Sequence, residues 1–181
     1  MKRLIMAQVR QHFARPHVED LPLEIIRQMQ RLKNVVRPGM SVAITAGSRG
    51  INGIAAILRT VVKTLRDMGA EPFIVSAMGS HGGGTVAGQE AVLRHLGITS
   101  DAVGAPLRIT SKAVEAGVTE SGHILYVDAE AAKADAILVV NRIKPHTAFS
   151  ADMASGLFKM LTVGLGKVPG ATQVHRLGPL G

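Results

Sequence analysis

The residues best suited to chemistry crowd the last third of the chain. His146, Lys159 and His175 fall within thirty residues of one another in NRIKPHTAFSADMASGLFKMLTVGLGKVPGATQVHR, residues 141–176. Imidazoles exchange protons near neutral pH and serve as metal ligands, and an amine supplies a compact positive charge. On a helix, Met153, Leu157, Met160, Leu161 and Gly164 share one face, and Ser155, Lys159 and Thr162 fall opposite. The lysine is therefore expected to point away from the helix's apolar side. A solvated lysine on an amphipathic helix is the ordinary outcome of such a pattern. Here the polar face carries no other charge, and a proline-pinned histidine and a histidine beyond Gly170 bracket it, which favours a lined pocket.

Two further groups sit in glycine-rich loops. Arg49 lies in Ala46-Gly47-Ser48-Arg49-Gly50-Ile51-Asn52-Gly53, and His81 in Met78-Gly79-Ser80-His81-Gly82-Gly83-Gly84. Glycine neighbours leave the backbone at His81 free to approach a ligand closely. Gly82-Gly83-Gly84-Thr85-Val86-Ala87 fits G-x-G-x-x-A between a strand and a helix, but no acidic residue ends the next strand region. Backbone N–H groups cradling a phosphate or another anion fit that loop. His12, His17 and His95 read as surface histidines, and His123 as undecided. Spacing alone leaves open whether His81, His146 and His175 share a site or are scattered loop histidines. The chain has no HExxH pair, which disfavours an ordinary zinc hydrolase.

The elements that must position these groups alternate. A first strand is expected at Leu4–Val9, and a helix after Pro22 carrying Ile25, Ile26, Met29 and Leu32. Arg37-Pro38-Gly39 turns into a strand at Ser41–Thr45. The helix that follows has Ile54, Ile57, Leu58, Val61, Val62, Leu65 and Met68 on one stripe and ends at Gly69. Pro72–Ala77 reads as a strand, and Thr85 as the cap of a helix. Short strands are expected at Leu107–Thr110 and His123–Val127, a short helix at Ala129–Ala134 and a strand at Asp135–Val140. This order predicts an α/β fold, Rossmann-like, with a mostly parallel sheet and helices on both faces. Ligands in such folds sit at the carboxyl ends of strands, where Arg49, His81 and His146 all fall.

Composition narrows the partners. At 181 residues with 46% hydrophobic and 19% charged residues, the chain reads as one globular domain. The net charge of +8 is scattered, and four phenylalanines, one tyrosine and no tryptophan offer little for stacking bases. Small anionic ligands are thus expected rather than nucleic acid. No cysteine is present, which excludes disulfides and thiolate metal sites. No apolar run has the length of a membrane span, and the expected location is cytoplasmic.

The segments AGSRGI, PFIVSAMGSHGGGT, VNRIKPHT, SGLFKM and GLGKVPGATQVH, in that order from about Ser41 onward, resemble the N-terminal domain of the nickel-pincer lactate racemase family. The similarity is greatest to divergent racemase-like isomerases. The resemblance implies a nickel-pincer nucleotide anchored covalently on Lys159, with His175 as the protein's nickel ligand. It implies His81 and His146 as the acid/base pair on opposite faces of a small anionic 2-hydroxy acid, and Arg49 holding anionic groups. The cofactor-contacting set is then Lys159, Arg49, Ser48, Gly82 and Gly83. Ala46 and Gly82 depart from the family's usual acidic residue and arginine, and the interval from His146 to Lys159 looks longer, so lactate itself is not the expected substrate. The family also has a second domain that closes the cleft. This chain stops six residues after His175, so a fragment, a truncated reading frame or one half of a two-chain enzyme is expected, to be completed by a C-terminal domain or a partner chain. The alternative is a non-catalytic anion- or nucleotide-binding α/β domain.

Overall fold

Ser41–Ala46 forms β1, the middle strand of a parallel sheet ordered β2–β1–β5, with β2 at Glu71–Ser76 and β5 at Ala136–Leu138. The computed structural model describes residues 7–14, 16–144 and 156–177. Successive side chains of a strand point to opposite faces, and both faces of this sheet are buried. Val42, Ile44, Ala46 and Ile74 join one core cluster; Ala43, Phe73, Val75 and Ala77 join another. That is why β1 reads as an unbroken apolar run rather than an alternating one.

Helices cover the first face. Helix α1 (Leu21–Met29) starts at Asp20, whose side chain accepts from Leu23 N at 2.9 Å, and carries Pro22 in its first turn. Helix α2 (Ile54–Asp67) buries Ile54, Leu58, Val61, Val62 and Leu65, close to the expected stripe, and the chain reverses at Gly69 with a φ of 87°. Helices α3 (Val86–His95) and α4 (Ser100–Val103) add Leu93 and Val103 to the same cluster. Thr85 caps α3 by accepting from Gly88 N at 3.1 Å. On the second face lie Ala131, Leu165 and, partly buried, Val127 and Met160. The expected α/β architecture with a parallel sheet flanked by helices is therefore present.

Side chains button β5 to β1 at both ends. Asp135 accepts from Ser41 N (2.8 Å) and Ser41 Oγ (2.7 Å), and those two bonds hold its carboxyl below the usual aspartate range. At the far end, Val140 N donates to Thr45 Oγ1 at 3.0 Å. The strand thus ends at Leu138, two residues short of the expected Val140, because a side chain takes over the pairing.

Several expected elements differ. Ala7, Gln8 and Val9 form no strand, and the rest of the expected first strand lies outside the described residues. The Leu107–Thr110 strand reduces to a single parallel bridge between Ile74 and Leu107. An antiparallel hairpin pairs β3 (Ala113–Val118) with β4 (Ile124–Asp128). Strand β4 matches the expected His123–Val127, but β3 was hidden because AVEAGV is largely exposed and contains a bulge between Glu115 and Gly117. The expected helix at Ala129–Ala134 is a 3₁₀ turn, Ala131–Lys133. Among the described residues no helix is long and apolar enough to cross a membrane.

The C-terminal segment departs most. Instead of one amphipathic helix there is a single turn, α5 (Leu157–Lys159), a π-helical turn at Met160–Gly164, and then α6 (Lys167–Leu177). Leu165 N donates to Met160 O at 2.8 Å, the five-residue closure of a π turn. Met153 and Ser155 lie outside the described residues.

Candidate functional site

The π turn lies directly on the carboxyl ends of β1 and β2. Gly79 N, just past β2, donates to Gly164 O at 3.1 Å. A Cβ on Gly164 would stand 2.8 Å from Ala77 O, closer than side chains approach a carbonyl, so this contact requires glycine. Met160 reaches the opposite strand end, with its Cε 3.3 Å from where a Cβ on Gly47 would be. Lys159, immediately before the π turn, is thereby set beside the loops that follow β1 and β2.

Between these elements opens a cleft of about 250 Å³. Ile51, Ile54, Met160 and Val163 give it an apolar floor; Arg49, Arg142, Lys144 and Lys159 give it four cations, with no Asp or Glu among its described lining residues. His81 and His175 line it too, as does Ser48. Lys159 thus opens on the same space as Met160 and Gly164, correcting the expectation that it faces away from the helix's apolar side. The expected apolar face is itself half-solvated: Leu157 is 50% and Leu161 42% exposed. The π turn breaks the 3.6-residue period on which that face was drawn.

Ser48 Oγ and His81 Nδ1 are 2.5 Å apart, joining the β1 loop to the β2 loop. The His81 main chain is held independently, its N donating to Met78 O (3.1 Å) and its carbonyl accepting from Gln89 Nε2 (3.4 Å). Gln89 is fully buried; it also donates to Gly79 O at 3.0 Å and accepts from Ser76 Oγ at 2.6 Å.

Behind this loop is a group that residue type did not single out. Lys167 is 1% exposed and opens α6 with a φ of 53°, a left-handed conformation rare outside glycine. Its ammonium donates to Ser76 O (2.6 Å), Ser76 Oγ (2.8 Å) and Gln89 Oε1 (3.4 Å), and pairs with Asp128 Oδ2 at 2.7 Å. Asp128 Oδ1 accepts from Glu130 N and Ala131 N, while Oδ2 meets the lysine as an ion pair without hydrogen-bond angles. Burial pushes the Lys167 ammonium below its ordinary pKa, opposed by Asp128. Lys167 stands midway between Lys159 and His175, and its bonds fasten that segment to the end of β2, to Asp128 at the end of β4 and, through Gln89, to the His81 loop. The only sequence signal was its place in GLGKVPGATQVH.

The remaining expectations divide. Gly82 and Gly83 form part of the turn His81–Gly84 with φ of 65° and 68°, and neither lines the cleft. A Cβ on Gly82 would stand 2.6 Å from Gly88 C, so its glycine serves the packing of the loop on α3. His146 lies outside the described residues. His12, His17 and His95 are exposed, as expected of surface histidines, and His123 is half-buried beside the hairpin turn. Among the described residues no three His, Asp or Glu side chains cluster as a metal site.

Residues 16–177 match the family model described as the lactate racemase N-terminal domain. No curated protein matches the chain.

Proposed function

From the premise that this chain belongs to the lactate racemase N-terminal domain family, we propose that it is the cofactor-binding portion of a racemase or epimerase of 2-hydroxy acids. One observation carries the reading. Lys159, His175, His81 and Arg49, brought from three separate segments, line one cleft whose described charged residues are all cationic.

These residues fit a nickel-pincer nucleotide. The Lys159 amine would carry the covalent link and the His175 imidazole would ligate nickel, to which imidazole is well suited. Soft donors would come with the group itself, which is consistent with a chain that has no cysteine. The cationic rim suits a nucleotide phosphate and a substrate carboxylate together. When bound, the group supplies a reversible hydride acceptor.

The chain's own residues handle charge and protons. Arg49 holds anionic groups against the cleft. His81 takes the hydroxyl proton of the 2-hydroxy acid as its carbon gives up hydride, and returns that proton when hydride is restored. Racemisation needs a second proton carrier on the other face of the planar keto intermediate, the role proposed for His146. The apolar floor of Ile51, Ile54 and Val163 limits water around the reacting carbon.

Metal content and turnover measured on the same loaded preparations test the reading. His175→Ala should lose nickel, whereas His81→Ala should keep it near stoichiometric while racemisation falls by roughly 10²–10⁴-fold. Nickel lost from His81→Ala and kept by His175→Ala would reverse the roles. The same cationic cleft also suits a non-catalytic anion- or nucleotide-binding domain, which would bind phosphate with no nickel dependence.

A further inference from the structure

We propose that Ser48 is a positioning residue that holds His81 in the Nδ1–H tautomer, so that Nε2 is the basic nitrogen presented to the cleft. Imidazole has one proton for two nitrogens when neutral, and the partner of one nitrogen decides the character of the other. Ser48 Oγ is 2.5 Å from Nδ1 and both residues line the cleft, so the ring is fixed from the Nδ1 side and Nε2 is left for ligands.

A hydroxyl accepts as readily as it donates, and the surroundings decide which. The cleft carries Arg49, Arg142 and Lys159 and no carboxylate among its described lining residues. Arginine and lysine side chains are donors only. In that positive field an outward-facing lone pair on Nε2 is favoured over an outward-facing N–H, which puts the single ring proton on Nδ1 and makes Ser48 Oγ its acceptor. The bonds from His81 N to Met78 O and from Gln89 Nε2 to His81 O fix the main chain but not the ring. Ring orientation therefore falls to Ser48.

The arrangement has a consequence for proton transfer. Neutral imidazole with a free Nε2 and the imidazolium formed when Nε2 gains a proton both donate from Nδ1 to Ser48 Oγ. Nε2 can accept and release a proton without breaking the bond that orients the ring. Were the hydroxyl the donor instead, each protonation would force it to reverse. This use of His81 rests on the racemase reading; the tautomer itself does not.

The test uses the 181-residue chain without any cofactor. Histidine ring nitrogens are labelled with ¹⁵N and spectra recorded at a pH where the rings are neutral, with His81→Gln identifying the His81 signals. The wild-type ring should show a pyrrole-type Nδ1 and a pyridine-type Nε2. Ser48→Ala should shift His81 toward the Nε2–H form favoured by the free side chain, and Ser48→Thr, which keeps the hydroxyl, should retain Nδ1–H. A wild-type ring already in the Nε2–H form would overturn the proposal, because the hydroxyl would then be the donor. So would an alanine variant that keeps Nδ1–H. Because no nickel enters the measurement, a failed tautomer assignment leaves the racemase reading untouched, and a failed nickel experiment leaves the tautomer result standing.

Discussion

Lys167 Nζ lies 2.7 Å from Asp128 Oδ2, and with exposures of 1% and 0% neither side chain meets water. Removing one partner of a buried pair strands the other charge, whereas neutralising both removes the problem. Lys167→Met should therefore cost about 3–5 kcal/mol of folding stability. Lys167→Met combined with Asp128→Asn should be distinctly less damaging, since asparagine keeps an oxygen for the N–H groups of Glu130 and Ala131. Chemical denaturation of the three proteins decides; a double variant as weak as the single one would mean that the charges do not act as a pair.

The same lysine sets an alkaline signature. Its folded pKa is lowered from 10.5 by burial, against the pull of Asp128. Between the lowered value and 10.5 the unfolded chain binds more protons than the folded one, so this group makes stability rise with pH through that window. Below the window lysine is charged in both states and adds no slope. The difference in unfolding free energy between wild type and the Lys167→Met/Asp128→Asn variant should accordingly grow toward pH 10.5. A difference that stays flat or shrinks over that range would contradict the assigned shift.

Asp135 gives the acid counterpart. Its bonds to Ser41 lower the carboxyl pKa from 3.8, so the stabilisation they bring is present above that value and is lost as pH falls through the lower folded value. Asp135→Asn should flatten the acid limb of the stability curve relative to wild type. Parallel limbs in the two proteins would show that the bonds from Ser41 do not lower the Asp135 carboxyl pKa.

Lys159 should be the attachment point of the nucleotide. Intact-mass measurement of chain co-produced with the cofactor-making enzymes should show a nucleotide-sized adduct, absent from Lys159→Ala. An adduct that persists in the variant excludes this lysine.

Gly164→Ala probes how tightly the lysine segment must sit on the sheet. Its new Cβ would be 2.8 Å from Ala77 O, and relieving that overlap should cost about 1–3 kcal/mol. The variant should fold yet form the Lys159 adduct poorly, read in the same mass measurement. Full adduct formation would show that the close contact is dispensable for loading.

What could be read in advance followed strong local periodicity. Helix α2 announces itself because Ile54, Leu58, Val61 and Leu65 repeat at helical spacing before a reversing glycine, and β1 and β2 because buried parallel strands are continuous apolar runs. Arg49 and His81 were placed by the rule that ligands gather at strand ends, and both line the cleft. Helix α6 was obscured because Val168-Pro169-Gly170 reads as a breaker; proline is tolerated in its first turn, and a Cβ on Gly170 would stand only 2.6 Å from Thr162 O. The burial of Lys167 was illegible because its partners Ser76, Gln89 and Asp128 are 91, 78 and 39 positions away. Long-range pairing leaves no local pattern, and a lone lysine is ordinarily solvated.

The π turn at Met160–Gly164 makes the interval between Lys159 and His175 a matter of phase as well as distance. A π turn holds one residue more than the α-helical turn it replaces. Deleting any one of those five residues would let the segment rewind as α-helix, turning Lys159 by about 100° relative to the residues that follow the turn. Every chemical group would survive such a deletion, yet the amine would turn away from the cleft that it now lines together with the imidazole. The winding of the backbone, counted in fractions of a turn, is therefore as much a part of this site as the side chains it presents.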